Sequence, residues 1–338
     1  MNVVPEKLNA KDFASDQEVR WCPGCGDYAI LKALQRTMPD LGVLPSDTVF
    51  VSGIGCAARF PYYMSTFGFH TIHGRAPAFA TGIKLSNPNL DVWVVGGDGD
   101  MLSIGGNHLL HAVRRNINLQ ILIFNNEIYG LTKGQYSPTS RVGTRSPSTP
   151  TGSVESPVSA ISFALGSGAR FVARSLDTDQ KHLPMVFKRA HAHKGTSLVE
   201  VFQNCIVYND GVFDHFTDKN VAKDRQVLLE DGKPIIFGKE NNKGIRLIKE
   251  SLELEVVELG INGITEKDIL VHNEKDRALA SLLANMKQPD MPVALGVIYC
   301  DPTDSFDELV LKQGEASKQK NPEPSISDLL NSGHTWTV

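Results

Sequence analysis

Two short apolar runs, each ending in oxygen-bearing side chains, constrain this chain more than any other feature. Asp91-Val92-Trp93-Val94-Val95-Gly96 reads as a buried strand and runs into the turn Gly97-Asp98-Gly99. Leu119 to Phe124 reads as a second strand and runs into Asn125-Asn126, 26 positions after Gly99. Between them Ser103 to Arg115 is long enough for a helix, with Gly105-Gly106-Asn107 near its start. Strand ends are where open α/β sheets bind ligands. The Asp98 carboxylate and the Asn126 amide oxygen are hard donors suited to Mg²⁺. A helix start turns backbone N–H groups toward phosphates. The glycine turn alone is as well explained by a tight turn with a capping Asp. The asparagine pair at this distance, with a strand before each element, favours a site for a metal ion and a diphosphate.

The chain has 338 residues and 37.0 kDa, enough for one large or two modest domains. With 41% hydrophobic and 21% charged residues, a packed globular core is expected. A net charge of -4 gives no reason to expect nucleic acid, and no apolar run approaches membrane-spanning length. Met1 to Val19 is polar and lacks the apolar core of a secretory signal. The five cysteines, Cys22, Cys25, Cys56, Cys205 and Cys300, are an odd and sparse set. That usage fits a reducing, cytoplasmic setting, where thiols serve metals or chemistry rather than disulfides.

The first ~205 residues read as alternating strands and helices. Helices are expected at Asp27 to Thr37, Arg75 to Leu85, Pro157 to Leu165 and Asp179 to His193. Strands are expected at Thr48 to Ser52, Ala169 to Ala173 and Ser197 to Gln203, besides the two above. The fold class is therefore α/β, a mostly parallel sheet with helices on both faces. Lys133 to Ser156 is rich in Ser, Thr, Pro and Gly, and its position after the asparagines suggests a lid or partner surface. After Cys205 the pattern weakens. Ile245 to Lys249, Leu252 to Leu259 and Val293 to Tyr299 read as strands, and Asp276 to Met286 as a helix. The polar tail Lys312 to Ser327, with Pro322 and Pro324, is expected to lie along a surface or to lack order alone. We divide the chain into a module over residues 1–220 and an irregular extension over 221–338 that covers a partner or the cofactor.

Trp21-Cys22-Pro23-Gly24-Cys25-Gly26 is a C-x-x-C knuckle. Cys56 follows a glycine turn, Gly53-Ile54-Gly55, after one strand, and Cys205 follows another strand and Asn204. Three such turns can converge at one sheet edge, and four thiolates there would suit a [4Fe–4S] cluster or a Cys₄ zinc. A third reading leaves Cys56 and Cys205 as buried thiols. Cys300, at the end of an apolar strand, is read as core. The Gly97-Asp98-Gly99 to Asn125-Asn126 spacing resembles the thiamine diphosphate signature. Beside that cofactor a redox cluster has a task, so iron–sulfur is favoured.

Taken together the motifs resemble the β subunit of 2-oxoacid:ferredoxin oxidoreductases, most closely the 2-oxoglutarate type. The matching residues are Cys22-Pro23-Gly24-Cys25-Gly26, Gly53-Ile54-Gly55-Cys56, His73-Gly74-Arg75, Gly97-Asp98-Gly99-Asp100, Asn125 through Gln135, Asn204-Cys205 and Asn209-Asp210-Gly211 to Asp218-Lys219. They span residues 22 to about 219. The resemblance implies a thiamine diphosphate-binding fold of the diphosphate-module type. It implies oxidative decarboxylation of a 2-oxoacid with coenzyme A to acyl-CoA and CO₂, reducing ferredoxin or flavodoxin, or the reverse. It implies Cys22, Cys25, Cys56 and Cys205 as ligands of a [4Fe–4S] cluster, and Asp98, Asn126 and the Ile128 carbonyl as ligands of Mg²⁺. Ile54, Gly55, Cys56, Ala57, His73, Gly74, Gly97, Gly99, Asp100, Gly130 and Leu131 would line the cofactor. Arg59 stands where family members carry positive charge near the substrate, and an arginine can grip a carboxylate in a bidentate way. His70 is better read as structural, and Asp27 as a helix N-terminal carboxylate that could touch the cofactor.

Thiamine chemistry needs an activating glutamate from a pyrimidine module, and residues 206–338 are too few and irregular to supply one. An obligate partner follows, the α subunit of the family, in a heterodimer or (αβ)₂. Glu127 would face the wrong end of the cofactor to serve as that base. Pyruvate and branched-chain 2-oxoacids remain as substrates. The rival readings are a non-redox thiamine carboligase with structural zinc and an assembly subunit with a decayed cofactor fold.

Overall fold

The computed structural model describes residues 8–320 and 325–336. Residues 1–7 of the polar N-terminus, and Pro322 and Pro324 of the tail, lie outside the described residues. The chain opens with α1 (Asp27–Leu41), β1 (Thr48–Ser52), β2 (Phe67–His70), α2 (Ala76–Ser86), β3 (Asp91–Gly97), α3 (Gly106–Arg115) and β4 (Gln120–Asn125). A small hairpin, β5 (Ile128–Tyr129) and β6 (Gln135–Tyr136), precedes α4 (Ala160–Gly166), β7 (Phe171–Leu176), α5 (His182–Ala192) and β8 (Ser197–Phe202). The remainder holds α6 (Asp214–Thr217), α7 (Ala222–Arg225), β9 (Gln226–Leu228), β10 (Ile236–Phe237), β11 (Lys243–Ile248), β12 (Glu253–Glu258), α8 (Arg277–Ala284), β13 (Val293–Cys300), α9 (Phe306–Lys320) and α10 (Ile326–Leu330).

Eight strands form one sheet in the order β2-β1-β3-β4-β8-β7-β13-β9. All neighbours run parallel except β13 against β7. The strand residues alternate between two cores. Val49, Val51, Val92, Val94, Ile121 and Ile123 face α2, α3 and α4 on one side. Phe50, Trp93, Val95, Leu122 and Phe124 face α1 and α5 on the other. Covering both faces explains why these strands read as unbroken apolar runs. The second core is aromatic: Trp93 stacks on Phe50 at 6.0 Å and meets the Phe187 ring edge-on at 6.4 Å. Burying each such side chain stabilises the fold by roughly 1.5–3 kcal/mol.

Several elements differ from the sequence expectation for physical reasons. The helix expected from Ser103 starts at Gly106, because Asp100–Ile104 forms a wide turn with a non-helical Ser103 (φ -90, ψ -105). β2 had no sequence signature: it is a four-residue edge strand, exposed throughout. The tail expected to lie along a surface or to lack order alone is helical over Phe306–Lys320, for which no helix was expected. β13 returns antiparallel beside β7, and α8, capped by Asp276 onto Ala278 N and Leu279 N, packs against it.

Candidate active site

Because β1, β3, β4 and β8 are successive neighbours and parallel, their carboxyl ends lie side by side. Four turns leave that edge: Gly53–Cys56, Asp98–Asp100, Asn126–Gly130 and Gln203–Cys205. They enclose a cavity of about 100 Å³. Of the residues expected at a cofactor, Ile54, Gly55, Cys56, Ala57, His73, Gly97, Gly99, Asp100, Gly130 and Leu131 line it, as do Asp98, Asn126 and Ile128. Gly74 stands behind the wall. Its N–H donates to Asp100 Oδ1 at 2.7 Å, and so do Ile54 N at 3.2 Å and the His73 ring through Nδ1. Asp100 thus pins the loops after β1 and β2 together. A Cβ on Gly53 would stand 2.1 Å from the Asp100 carboxylate, so this turn accepts only glycine.

Asp98 is buried, and Ser137 Oγ and Thr139 Oγ1 each donate to its Oδ2 at 2.5 Å. No lysine, arginine or histidine pairs with it among the described residues. Burial pushes its carboxyl up to about 6, against the pull of those hydroxyls. The Asn126 amide is oriented: Nδ2 donates to Gln203 Oε1 at 2.8 Å, and Oδ1 accepts from Ile128 N at 3.2 Å. A buried carboxylate without a cation, an oriented amide oxygen and the Ile128 carbonyl on one cavity wall form an all-oxygen donor set that fits Mg²⁺. Ser137 and Thr139 were not singled out in the sequence; hydroxyls in a Ser/Thr-rich loop look like ordinary turn formers. Their loop folds down over Asp98, and Ser140 donates to the Glu127 carbonyl. Glu127 adopts φ +55 and turns its carboxylate to Arg141 Nε at 3.1 Å.

Three contacts gather the cysteine-bearing segments. Trp21 Nε1 donates to the Cys56 carbonyl at 2.7 Å, and Gly26 N donates to the Asn204 carbonyl at 3.1 Å. A Cβ on Gly130 would stand 3.5 Å from both Cys56 Sγ and Cys205 Sγ, so that glycine faces two thiols at once. Gly24, at φ +87, makes the bend that folds Cys25 N back onto the Cys22 carbonyl at 3.0 Å. Desolvation, with Asp27 next, raises the Cys25 thiol well above its usual range and Cys56 to about 12. Thiolates here need positive charge, which a metal centre supplies. Among the described residues no three of His, Cys, Asp or Glu stand close enough to hold a single metal ion; a cubane asks for a wider cage, one thiolate per iron. Cys300 lies elsewhere, 4.0 Å from His193 Nδ1.

Asp27 is buried at the start of α1 and lines the cavity. Apart from the neighbouring Cys25 thiol, neither of its oxygens has a partner. Burial and then Asp177 push its carboxyl up to about 7. Arg59 and His70 line a separate cavity of about 300 Å³ that shares Ile54, Gly55 and Leu131 with the first. Arg59 Nε donates to Tyr63 Oη at 3.1 Å, which aims the guanidinium along that cavity wall. His70 packs its ring 5.4 Å from Tyr62.

Residues 53–201 match the family model described as thiamine pyrophosphate enzyme, C-terminal TPP binding domain. The chain is 48% identical over 339 residues to the 2-oxoglutarate oxidoreductase subunit KorB of Mycobacterium tuberculosis, covering 99% of this chain and 89% of that one. It is 46% identical over 237 residues to the 2-oxoacid:ferredoxin oxidoreductase subunit beta of a Sulfolobus species, covering 69% and 77%. Its fold matches the solved 2-oxoglutarate:ferredoxin oxidoreductase of Magnetococcus marinus, with 2-oxoglutarate, coenzyme A and succinyl-CoA bound. The TM-score there is 0.75 at 31% identity, over 94% of this chain and 97% of that one.

Proposed function

The chain belongs to the β subunits of the 2-oxoacid:ferredoxin oxidoreductases, and from that membership we propose that it holds thiamine diphosphate with Mg²⁺ and a [4Fe–4S] cluster. The reaction proposed is oxidative decarboxylation of 2-oxoglutarate with coenzyme A to succinyl-CoA and CO₂, with ferredoxin reduced, or the reverse. The observation that carries the reading is the double position of Cys56. It lines the cavity beside Asp98 and Asn126, and it shares the face of Gly130 with Cys205. A carrier receiving electrons from chemistry in that cavity would be held by its own wall.

When bound, thiamine diphosphate supplies the electron sink for decarboxylation. Asp98, the Asn126 amide oxygen and the Ile128 carbonyl would hold Mg²⁺. Cys22, Cys25, Cys56 and Cys205 would hold the cluster, and Gly130 keeps side-chain bulk out of the space between the two. A cavity of about 100 Å³ is well below the roughly 300 Å³ at which small-molecule sites begin. The pyrimidine half of the cofactor is therefore assigned to the α subunit. That subunit also supplies the activating glutamate, since Glu127 is engaged with Arg141. Arg59, in the adjoining cavity, would bind the substrate carboxylate. The names of the Mycobacterium and Magnetococcus relatives support 2-oxoglutarate. We place residues 1–220 as the cofactor module and 221–338 as an extension that adds β9 and β13 to its sheet and otherwise covers a partner or the cofactor.

The test is steady-state turnover of the α-containing complex with coenzyme A and ferredoxin, comparing 2-oxoglutarate with pyruvate. kcat/KM should favour 2-oxoglutarate by about tenfold or more. Arg59→Gln should raise KM for the 2-oxoacid by about tenfold with kcat little changed. Equal or better turnover of pyruvate contradicts the substrate assignment.

A further inference from the structure

Gln203 is the last residue before Asn204-Cys205 and is 1% exposed. Its backbone N–H donates to the Asn125 carbonyl at 2.8 Å, which extends the β4–β8 pairing by one residue into the site. Its side chain then faces two ways. Oε1 accepts from Asn126 Nδ2 at 2.8 Å. Nε2 donates to Cys25 Sγ at 3.3 Å and also to the Asn204 carbonyl. The orientation of this amide is fixed by its partners. The Asn204 carbonyl can only accept and Asn126 Nδ2 can only donate, so turning Gln203 over would set like against like at both ends.

We infer that Gln203 is a positioning residue that joins the two halves of the site. One end fixes the Asn126 amide so that its oxygen faces the metal position, and the other end hydrogen-bonds a cluster thiolate. This rests on the functional reading above, and it goes beyond it in giving one side chain a role toward both cofactors. The Asn126 end follows from its hydrogen bonds. Nδ2 is held by Gln203 and Oδ1 takes one hydrogen bond from Ile128 N, so the second lone pair of Oδ1 is what the amide offers a cation. Without Gln203 only the 3.2 Å bond from Ile128 N holds the amide, and its oxygen is less firmly placed. The Cys25 end follows from the chemistry of iron–sulfur centres, in which hydrogen bonds to the sulfurs set the reduction potential. An N–H donated to a thiolate stabilises the more negative, reduced state and so raises the potential.

Two substitutions separate the ends. Gln203→Glu keeps an oxygen for Asn126 Nδ2 and, when ionised, offers no donor toward Cys25. Gln203→Met keeps the length and loses both hydrogen bonds. Each variant is purified anaerobically as the complex with its α subunit. The cluster is titrated by EPR against dithionite potential, and Mg²⁺-dependent thiamine diphosphate binding is followed by calorimetry. Both variants should shift the midpoint potential to more negative values. Gln203→Met should weaken Mg²⁺-dependent binding by about 10-fold to 100-fold, whereas Gln203→Glu should stay near the wild type. Unmoved potentials, unmoved binding in Gln203→Met, or binding in Gln203→Glu weakened as much as in Gln203→Met overturn the bridge. A wild-type complex with no cluster signal and no cofactor binding overturns the functional reading, and the bridge with it. A wild-type complex with both, whose variants are unmoved, overturns the bridge alone.

Discussion

The carboxyl edge of β1, β3, β4 and β8 and the flank where β13 joins β7 treat charge in opposite ways. At the edge, among the described residues, Asp98 has no cation beside it, Asp100 Oδ2 has no partner and Asp27 meets only a thiol. At the flank the charges answer one another. Glu274 grips Arg189 through two contacts of 2.6 and 3.2 Å, and Arg170 meets Asp301 at 2.8 Å. Arg277 donates to the Leu165 and Ala169 carbonyls at 2.7 and 2.8 Å and lies over the Tyr299 ring at 4.9 Å. The flank's unpartnered buried atoms, His193 Nε2 and His272 Nδ1, belong to imidazoles, whereas the edge collects carboxylates, whose burial without a cation costs stability, so the edge is arranged for something that arrives later. The flank closes the sheet and serves the fold itself.

The largest effect that would break this contrast belongs to the edge. Asp98→Asn should lower Mg²⁺-dependent cofactor binding by about 100-fold or more, while the cofactor-free chain should melt at the same temperature or higher. A variant that loses stability along with binding would show that Asp98 serves the fold, and calorimetry on the cofactor-free and loaded complex distinguishes the two. Next comes a pH effect at the flank. His193, 4% exposed and packed on Phe171, is held neutral by burial, its folded value near 4 against an ordinary 6.5. A depressed value means its contribution is complete above 6.5 and is lost progressively as pH falls from 6.5 to 4. The full span is about 3 kcal/mol. Urea unfolding between pH 7 and 4 should show that decline in the wild type and a smaller one in His193→Phe. Equal slopes would remove His193 from the account. The smallest effect is Glu274→Ala, which should cost about 0.5–1 kcal/mol, because Arg189 is half exposed and keeps solvent. Cofactor binding should be unchanged; a coincident loss would join the two regions that the contrast separates.

The same contrast explains what could be read from the chain alone. Asp98 and Asn126 stand at the ends of apolar runs, and the structure brings their turns to one cavity because adjacent parallel strands leave no other place for them. The cysteine turns were visible for the same reason, each following a glycine bend or a strand end. Gln203, Ser137 and Thr139 were not visible. An amide or a hydroxyl next to a turn has many ordinary uses, and only the fold shows that these three meet Asn126 and Asp98. β13 was legible as an apolar strand, but its antiparallel direction and its place beside β7 depend on contacts more than a hundred residues apart. β2 was missed because four alternating aromatic and small residues at an edge carry no burial pattern, and α9 because a polar helix of modest amphipathicity resembles a solvated tail.

The proposed function requires that one sheet edge hold a thiamine site and an iron–sulfur cluster side by side. The most direct test is iron analysis and EPR of the anaerobically purified, dithionite-reduced complex, for the wild type and for Cys56→Ala. The account predicts about four irons per chain and a reduced [4Fe–4S] signal, both lost in Cys56→Ala. Zinc in place of iron, or a signal that survives the loss of Cys56, would contradict it.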